Sequence, residues 1–153
     1  MCRSLSAIGT TQCTNSNEKV VHTVYQALYR KYRPQVFDDV YGQEHITSIL
    51  KCETANGKFS HAYLFCGSRG TGKTSCAKIL AKAVNCENSH DGNPCNCCEA
   101  CRAIDSGACM DVLEIDAASN NGVDNVRQII EDAQQRSIDS EYKIFIIDEC
   151  RFL

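Results

Sequence analysis

The chain has 153 residues with a net charge of -3, 43% hydrophobic and 23% charged residues. That balance excludes a disordered chain and leaves room for one domain with its own core. The acidic balance argues against a free-standing duplex-DNA binder, and no run of 18 or more apolar residues spans a membrane.

In chain order, residues 1–23 are polar and small, without periodicity, and lack the apolar core of a signal peptide; a disordered tail and a cytosolic location are expected. A basic, aromatic stretch from Tyr25 turns acidic past Pro34, which interrupts any helix. Residues 43–55 predict a helix, with Ile46, Ile49 and Leu50 on one face and Asn56-Gly57 ending it. The apolar run 62–66 suits a buried strand, and a Gly-rich turn leads into a helix over 73–84 with Ala77, Leu80, Ala81 and Val84 on one face. A cysteine-rich loop follows, then a short helix over 99–106 closed by Gly107. Residues 111–116 predict a strand, residues 123–136 an amphipathic helix (Val123, Val126, Ile129, Ile130, Ala133), and residues 143–148 a second strand ending in acids. Strands alternating with helices point to an α/β domain with a parallel sheet.

Residues 67–74, GSRGTGKT, fit G-x-x-x-x-G-K-[ST]. In that pattern the glycines let the backbone N–H groups of Gly67, Ser68, Arg69, Gly70, Thr71 and Gly72 turn toward phosphate oxygens. Lys73 reaches the β- and γ-phosphates, and Thr74 offers its hydroxyl to Mg²⁺. The alternative is an ordinary Gly-rich turn, but a strand before and a helix after are what a nucleoside triphosphate site requires. Asp148 and Glu149 stand at the C-terminal end of a predicted strand, where ligands bind in parallel sheets. Asp148 is expected to help hold Mg²⁺ and Glu149 to orient or deprotonate the attacking water; alone they would read as two solvated acids.

Twelve cysteines are present. Cys86, Cys95, Cys98 and Cys101 are spaced C-x8-C-x2-C-x2-C, which suits four thiolates on one tetrahedral Zn²⁺ with no open position, a structural site. An iron–sulfur cluster, disulfides and metal-free thiols are the competing readings. Cys97 offers a substitute ligand beside Cys95 or stands outside the set. Cys52, Cys66, Cys76, Cys109 and Cys150 lie in apolar stretches and are expected to fill the core.

The segments YQALYRKYRPQVFDDVYGQEHI, HAYLFCGSRGTGKTSCAKILAKAVNC, the cysteine cluster and DVLEIDAASNNGVDNVRQI, in that order, resemble the gamma/tau subunits of bacterial DNA polymerase III, a family of AAA+ clamp loaders. The resemblance implies a RecA-like P-loop fold with a zinc insertion at about 86–101. It implies an ATPase that places the sliding clamp on primed DNA as part of the polymerase III holoenzyme, with other clamp-loader subunits as hetero-oligomeric partners. The family is catalogued with DNA-directed DNA polymerases, although nothing in these residues copies DNA. It also sets the segment 30–34 near the adenine, with Arg33 and Pro34 closest. Residues 1–23 then read as a disordered or spurious extension and residues 24–153 as a partial AAA+ domain, inactive alone, with Arg151 where the family has His and with the next strand, sensors and arginine finger lying beyond Leu153. A zinc-stabilised nucleotide-binding module without turnover, or a different P-loop enzyme, are the other readings.

Overall fold

A computed structural model describes residues 28–119 and 122–149. The expected N-terminal tail and Cys150 lie outside them. The elements run α1 (Leu28–Lys31), a 3₁₀ turn (Phe37–Asp39), α2 (Glu44–Ala55), α3 (Lys73–Val84), α4 (Glu99–Ser106), β1 (Val112–Asp116), α5 (Val123–Gln134) and β2 (Ile144–Asp148).

Helix α3 is the centre of the packing. It touches α2, α4 and β2, and Cys76, Ile79, Leu80 and Ala83 from it join Phe37, Val40 and Leu50 in one buried cluster. The buried face is wider than the predicted one: Leu80 and Ala81 are buried as expected, Cys76, Ile79 and Ala83 join them, and Ala77 and Val84 are only half-buried. On α2, Leu50 is buried as expected, but Ile49 is 59% exposed.

β1 and β2 pair in parallel, Val112 opposite Ile144 through Asp116 opposite Asp148. The ladder is extended at one end by Ile144 N–H donating to the Asp111 carbonyl (2.7 Å) and at the other by Ala117 N–H donating to Asp148 O (3.0 Å). This gives the parallel α/β arrangement, with two strands among the described residues.

The apolar run 62–66 departs from expectation. It forms no strand among the described residues, and its burial alternates: Tyr63 and Phe65 pack on the core, whereas Leu64 is 79% exposed and Cys66 is exposed. A strand is buried on both faces and at both edges only when neighbours cover it, and neither β1 nor β2 pairs with this segment. Cys52 is likewise exposed, at a helix position facing away from the cluster, while Cys76 and Cys109 are buried as expected. Helix α5 carries Val126 and Ile129 half-buried but Ile130 53% exposed.

Asp111, 1% exposed, organises the approach to β2. Its carboxylate accepts from the backbone N–H groups of Ile138 (2.9 Å), Asp139 (2.7 Å) and Ser140 (2.9 Å). Burial alone would raise its pKa, but these donors and the nearby Lys143 hold it below the ordinary carboxylate value. Asn85 fixes the same connection: its side-chain amide donates to Tyr142 O (3.1 Å), and its Oδ1 accepts from Tyr142 N–H (2.9 Å).

Candidate nucleotide and metal sites

The glycine-rich segment 67–74, the candidate phosphate loop, closes onto the start of α3. Gly67, Gly70 and Gly72 have φ of 151°, 86° and 83°. At Gly70 and Gly72 the left-handed backbone favours glycine, and Gly72 is the residue that admits the chain into α3. Helix α3 begins at Lys73, so its unsatisfied N–H groups and positive dipole end face the loop.

Lys73 folds back over the loop, its Nζ donating to the carbonyls of Gly67 (3.1 Å) and Ser68 (2.7 Å). Thr71 Oγ1 donates to the Ser68 carbonyl (2.9 Å). A cation held only by loop carbonyls can transfer to a stronger anionic acceptor, because charge-assisted bonds to phosphate outrank bonds to neutral oxygen.

Thr74 Oγ1 donates to Asp148 Oδ2 at 2.8 Å. The contact joins the first turn of α3 to the C-terminal end of β2, two elements already packed on each other. A hydroxyl and a carboxylate oxygen side by side form an oxygen-only donor pair, which suits a hard divalent cation. Glu149 follows on the surface with φ 55°, its N–H donating to Asp148 Oδ1 (2.9 Å). Arg33 reaches the residue after Thr74 in α3, its Nε donating to Ser75 Oγ at 3.2 Å, with Pro34 half-buried beside it in the chain.

The cysteine site sits between the end of α3 and the start of α4. The sulfurs of Cys86, Cys95, Cys98 and Cys101 all lie within 4.8 Å of one another. Zinc–thiolate bonds of about 2.3 Å separate tetrahedral sulfurs by roughly 3.8 Å, so this spacing needs only slight contraction around an ion. Backbone N–H groups point at the sulfurs: Cys95 N to Cys86 Sγ (3.2 Å), Cys98 N to Cys95 Sγ (3.3 Å) and Cys101 N to Cys98 Sγ (3.4 Å). Burial pushes the Cys95 thiol up, but the N–H groups of Cys97 and Cys98 outweigh it and bring the pKa to about 6. Burial pushes Cys86 and Cys101 up. A donor set of four soft sulfurs, one of them readily ionised, fits zinc chemically. Cys97 is half-buried outside this quartet, its N–H donating to Cys95 Sγ (3.5 Å).

The loop carrying these cysteines is seated on the rest of the fold by residues that sequence reasoning missed. Asn93 accepts from Phe37 N–H (2.9 Å) and donates to Asp38 (2.7 Å). Gly92, at φ 74°, lies so close to α2 that a Cβ there would collide with the Lys51 carbonyl and Thr54 Oγ1. Lys82 is 2% exposed, and its Nζ reaches Gln35 Oε1 (2.6 Å), Asn96 Oδ1 (2.8 Å) and Asp105 Oδ1 (2.9 Å). A lysine inside the otherwise apolar run 79–84 of α3 was the available signal for such a site; no comparable signal marks the two asparagines.

A family model described as DNA polymerase III, delta subunit, matches residues 42–153. Over 129 residues, 84% of the chain, it is 58% identical to DNA polymerase III subunit tau of Bacillus subtilis (strain 168) and covers 23% of that protein. It is 45% identical to subunit tau of Escherichia coli (strain K12), covering 84% of the chain and 20% of the relative. It is 46% identical to subunit gamma/tau of Mycobacterium tuberculosis (strain ATCC 25618 / H37Rv), covering 83% and 22%. The chain thus spans between a fifth and a quarter of the length of these three relatives.

Proposed function

The chain belongs to the DNA polymerase III gamma/tau subunit family, and from that premise we propose that it is the ATP-binding portion of a clamp-loader subunit, acting in bacterial DNA replication. Residues 24–153 form part of a AAA+ nucleotide-binding domain in this reading, with a structural zinc module at about 86–101. Backbone N–H groups of residues 67–72 bind the phosphates, and Lys73 turns from the loop carbonyls to the β- and γ-phosphates. Thr74 and Asp148 hold Mg²⁺, and Glu149 orients the attacking water. Arg33 and Pro34 flank the adenine. Cys86, Cys95, Cys98 and Cys101 hold Zn²⁺.

When bound, Mg²⁺ neutralises phosphate charge, and zinc fixes the loop that ligates it without an open position for chemistry. Turnover in this family's chemistry draws on an arginine from a neighbouring subunit, and such residues are worth about 10³–10⁵ in rate. Hydrolysis therefore belongs to the assembled machine, with other clamp-loader subunits, the sliding clamp and primed DNA as its partners, in the cytoplasm. What this chain contributes is a nucleotide-dependent state.

The observation that carries the reading is the Thr74–Asp148 hydrogen bond, which brings together the hydroxyl that ends the phosphate-loop motif and an acid 74 residues later. The test is ATP titration of this chain with Mg²⁺, against Lys73→Ala. Loss of a charged donor to phosphate is expected to weaken binding roughly 30- to 100-fold. Equal affinity of the two chains would overturn the proposal.

A further inference from the structure

The segment that carries Arg33 is held from two sides. On one side Arg33 Nε donates to Ser75 Oγ (3.2 Å), directly after the phosphate-loop threonine. On the other, the cysteine loop grips the same segment: Gln35 Oε1 accepts from Lys82 Nζ (2.6 Å), which also donates to Asn96 Oδ1 (2.8 Å). Asn96 Nδ2 in turn donates to the Gln35 carbonyl (3.5 Å), and Gln35 Nε2 to the Arg33 carbonyl (3.4 Å). Asn96 lies between Cys95 and Cys97, and its φ is 56°. A left-handed non-glycine residue persists only where its surroundings hold it. Its backbone N–H is bonded to the Cys101 sulfur, which ties its conformation to the quartet.

We propose that the metal-loaded cysteine loop positions the Arg33–Gln35 segment at the nucleotide site through Asn96 and Lys82, so that metal binding and ATP binding strengthen each other. This rests on the nucleotide and zinc sites proposed above. Phe37 is fully buried in the core beside Cys76 and Ile79, so the segment keeps one anchor without the metal. Release therefore affects Arg33 to Gln35 and not the whole N-terminal arm. That restricts the coupling to the lower part of the usual range, roughly 5- to 10-fold.

The experiment uses the full chain, with zinc removed by a chelator under reducing conditions and then restored. ATP affinity and the amide hydrogen exchange of residues 33–37 are read in both states. Zinc removal is expected to weaken ATP binding roughly 5- to 10-fold and to speed exchange across the segment, and saturating ATP to raise zinc affinity by the same factor, as linkage requires. Gln35→Ala, on an exposed residue, should retain zinc yet bind ATP nearly as weakly as the stripped wild type. Zinc removal should then add little, the non-additivity of residues on one path. ATP affinity independent of zinc, in a chain that binds both, would overturn the coupling, as would a Gln35→Ala chain that responds to zinc like the wild type. A chain that loads zinc but binds ATP in no state would remove the nucleotide-site reading itself, and the coupling with it.

Discussion

Replacing Asp111 with asparagine keeps the side chain's size and removes its charge. In the native chain one carboxylate, 1% exposed, accepts three backbone N–H groups at 2.7 to 2.9 Å. Hydrogen bonds to an ionised group contribute roughly 1.5–3 kcal/mol and neutral ones roughly 0.5–1.5, so three downgraded bonds cost about 3 kcal/mol. The new amide also sets a donor where Oδ1 now accepts from Ile138 N–H at 3.0 Å. For a chain of this size the loss corresponds to a fall in Tm of about 6–12 °C. The assay is thermal unfolding by circular dichroism for both chains between pH 7 and pH 3. The native carboxyl is held below its ordinary value, so its stabilisation is complete above the unfolded pKa of about 3.9 and is lost as pH falls through the lower folded value. The amide of the Asp111→Asn chain does not titrate, and the other acids are common to both chains. The difference between them should therefore shrink below about pH 4. A gap that is the same at pH 7 and pH 3, or under about 0.5 kcal/mol at pH 7, would refute the account.

Other outcomes follow from the same geometry. Gly92→Ala places a methyl against the Lys51 carbonyl at φ 74°; backbone strain alone costs on the order of 1–3 kcal/mol, and zinc affinity should fall with stability in parallel melts and metal titrations. Cys98→Ser removes one of four sulfurs, so bound zinc, measured by elemental analysis of protein kept reduced, should drop from about one per chain to near none. Unchanged zinc content would exclude the quartet as the site. Asp148→Asn leaves Thr74 an oxygen partner but removes the charge facing the cation, so ATP affinity should lose most of its dependence on Mg²⁺ while binding without Mg²⁺ changes little.

Helices α2 to α5 were legible in the sequence because local chemistry marks their ends, whereas α1 and the 3₁₀ turn at Phe37–Asp39 carried no such marks and were not read. Gly107 closes α4 with φ 72° and Gly72 opens α3 with φ 83°, conformations only glycine adopts at little cost. The extent of β1 and β2 was equally readable from alternating and continuous apolar runs. The state of residues 62–66 was not, since five apolar residues specify a wish for burial but not the neighbour that supplies it. The same limit explains the wider buried face of α3: 3.6-residue periodicity identified Leu80 and Ala81, but whether Cys76 and Ile79 are also covered depends on where Phe37 and Val40 arrive. At the candidate sites, the motif residues and the four cysteines carried short-range spacing that sequence reading can use. Arg33 with Ser75, Lys82 with Gln35 and Asn93 with Phe37 did not, because each pair is joined only by the fold.

The reciprocal pair between Asn85 and Tyr142 links residues 57 positions apart, and Thr74 meets Asp148 across 74. Contacts of such span form only after long segments of chain have been brought together, and parallel pairing of β1 with β2 shares that handicap through the α5 crossover. Helix α3, whose own hydrogen bonds are local, is expected to consolidate early around the Phe37 cluster, leaving the turn at residues 138–140 and the seating of β2 as the late, slow events. The candidate nucleotide site would then be among the last regions to assemble, since Asp148, one half of its oxygen pair, rides on β2.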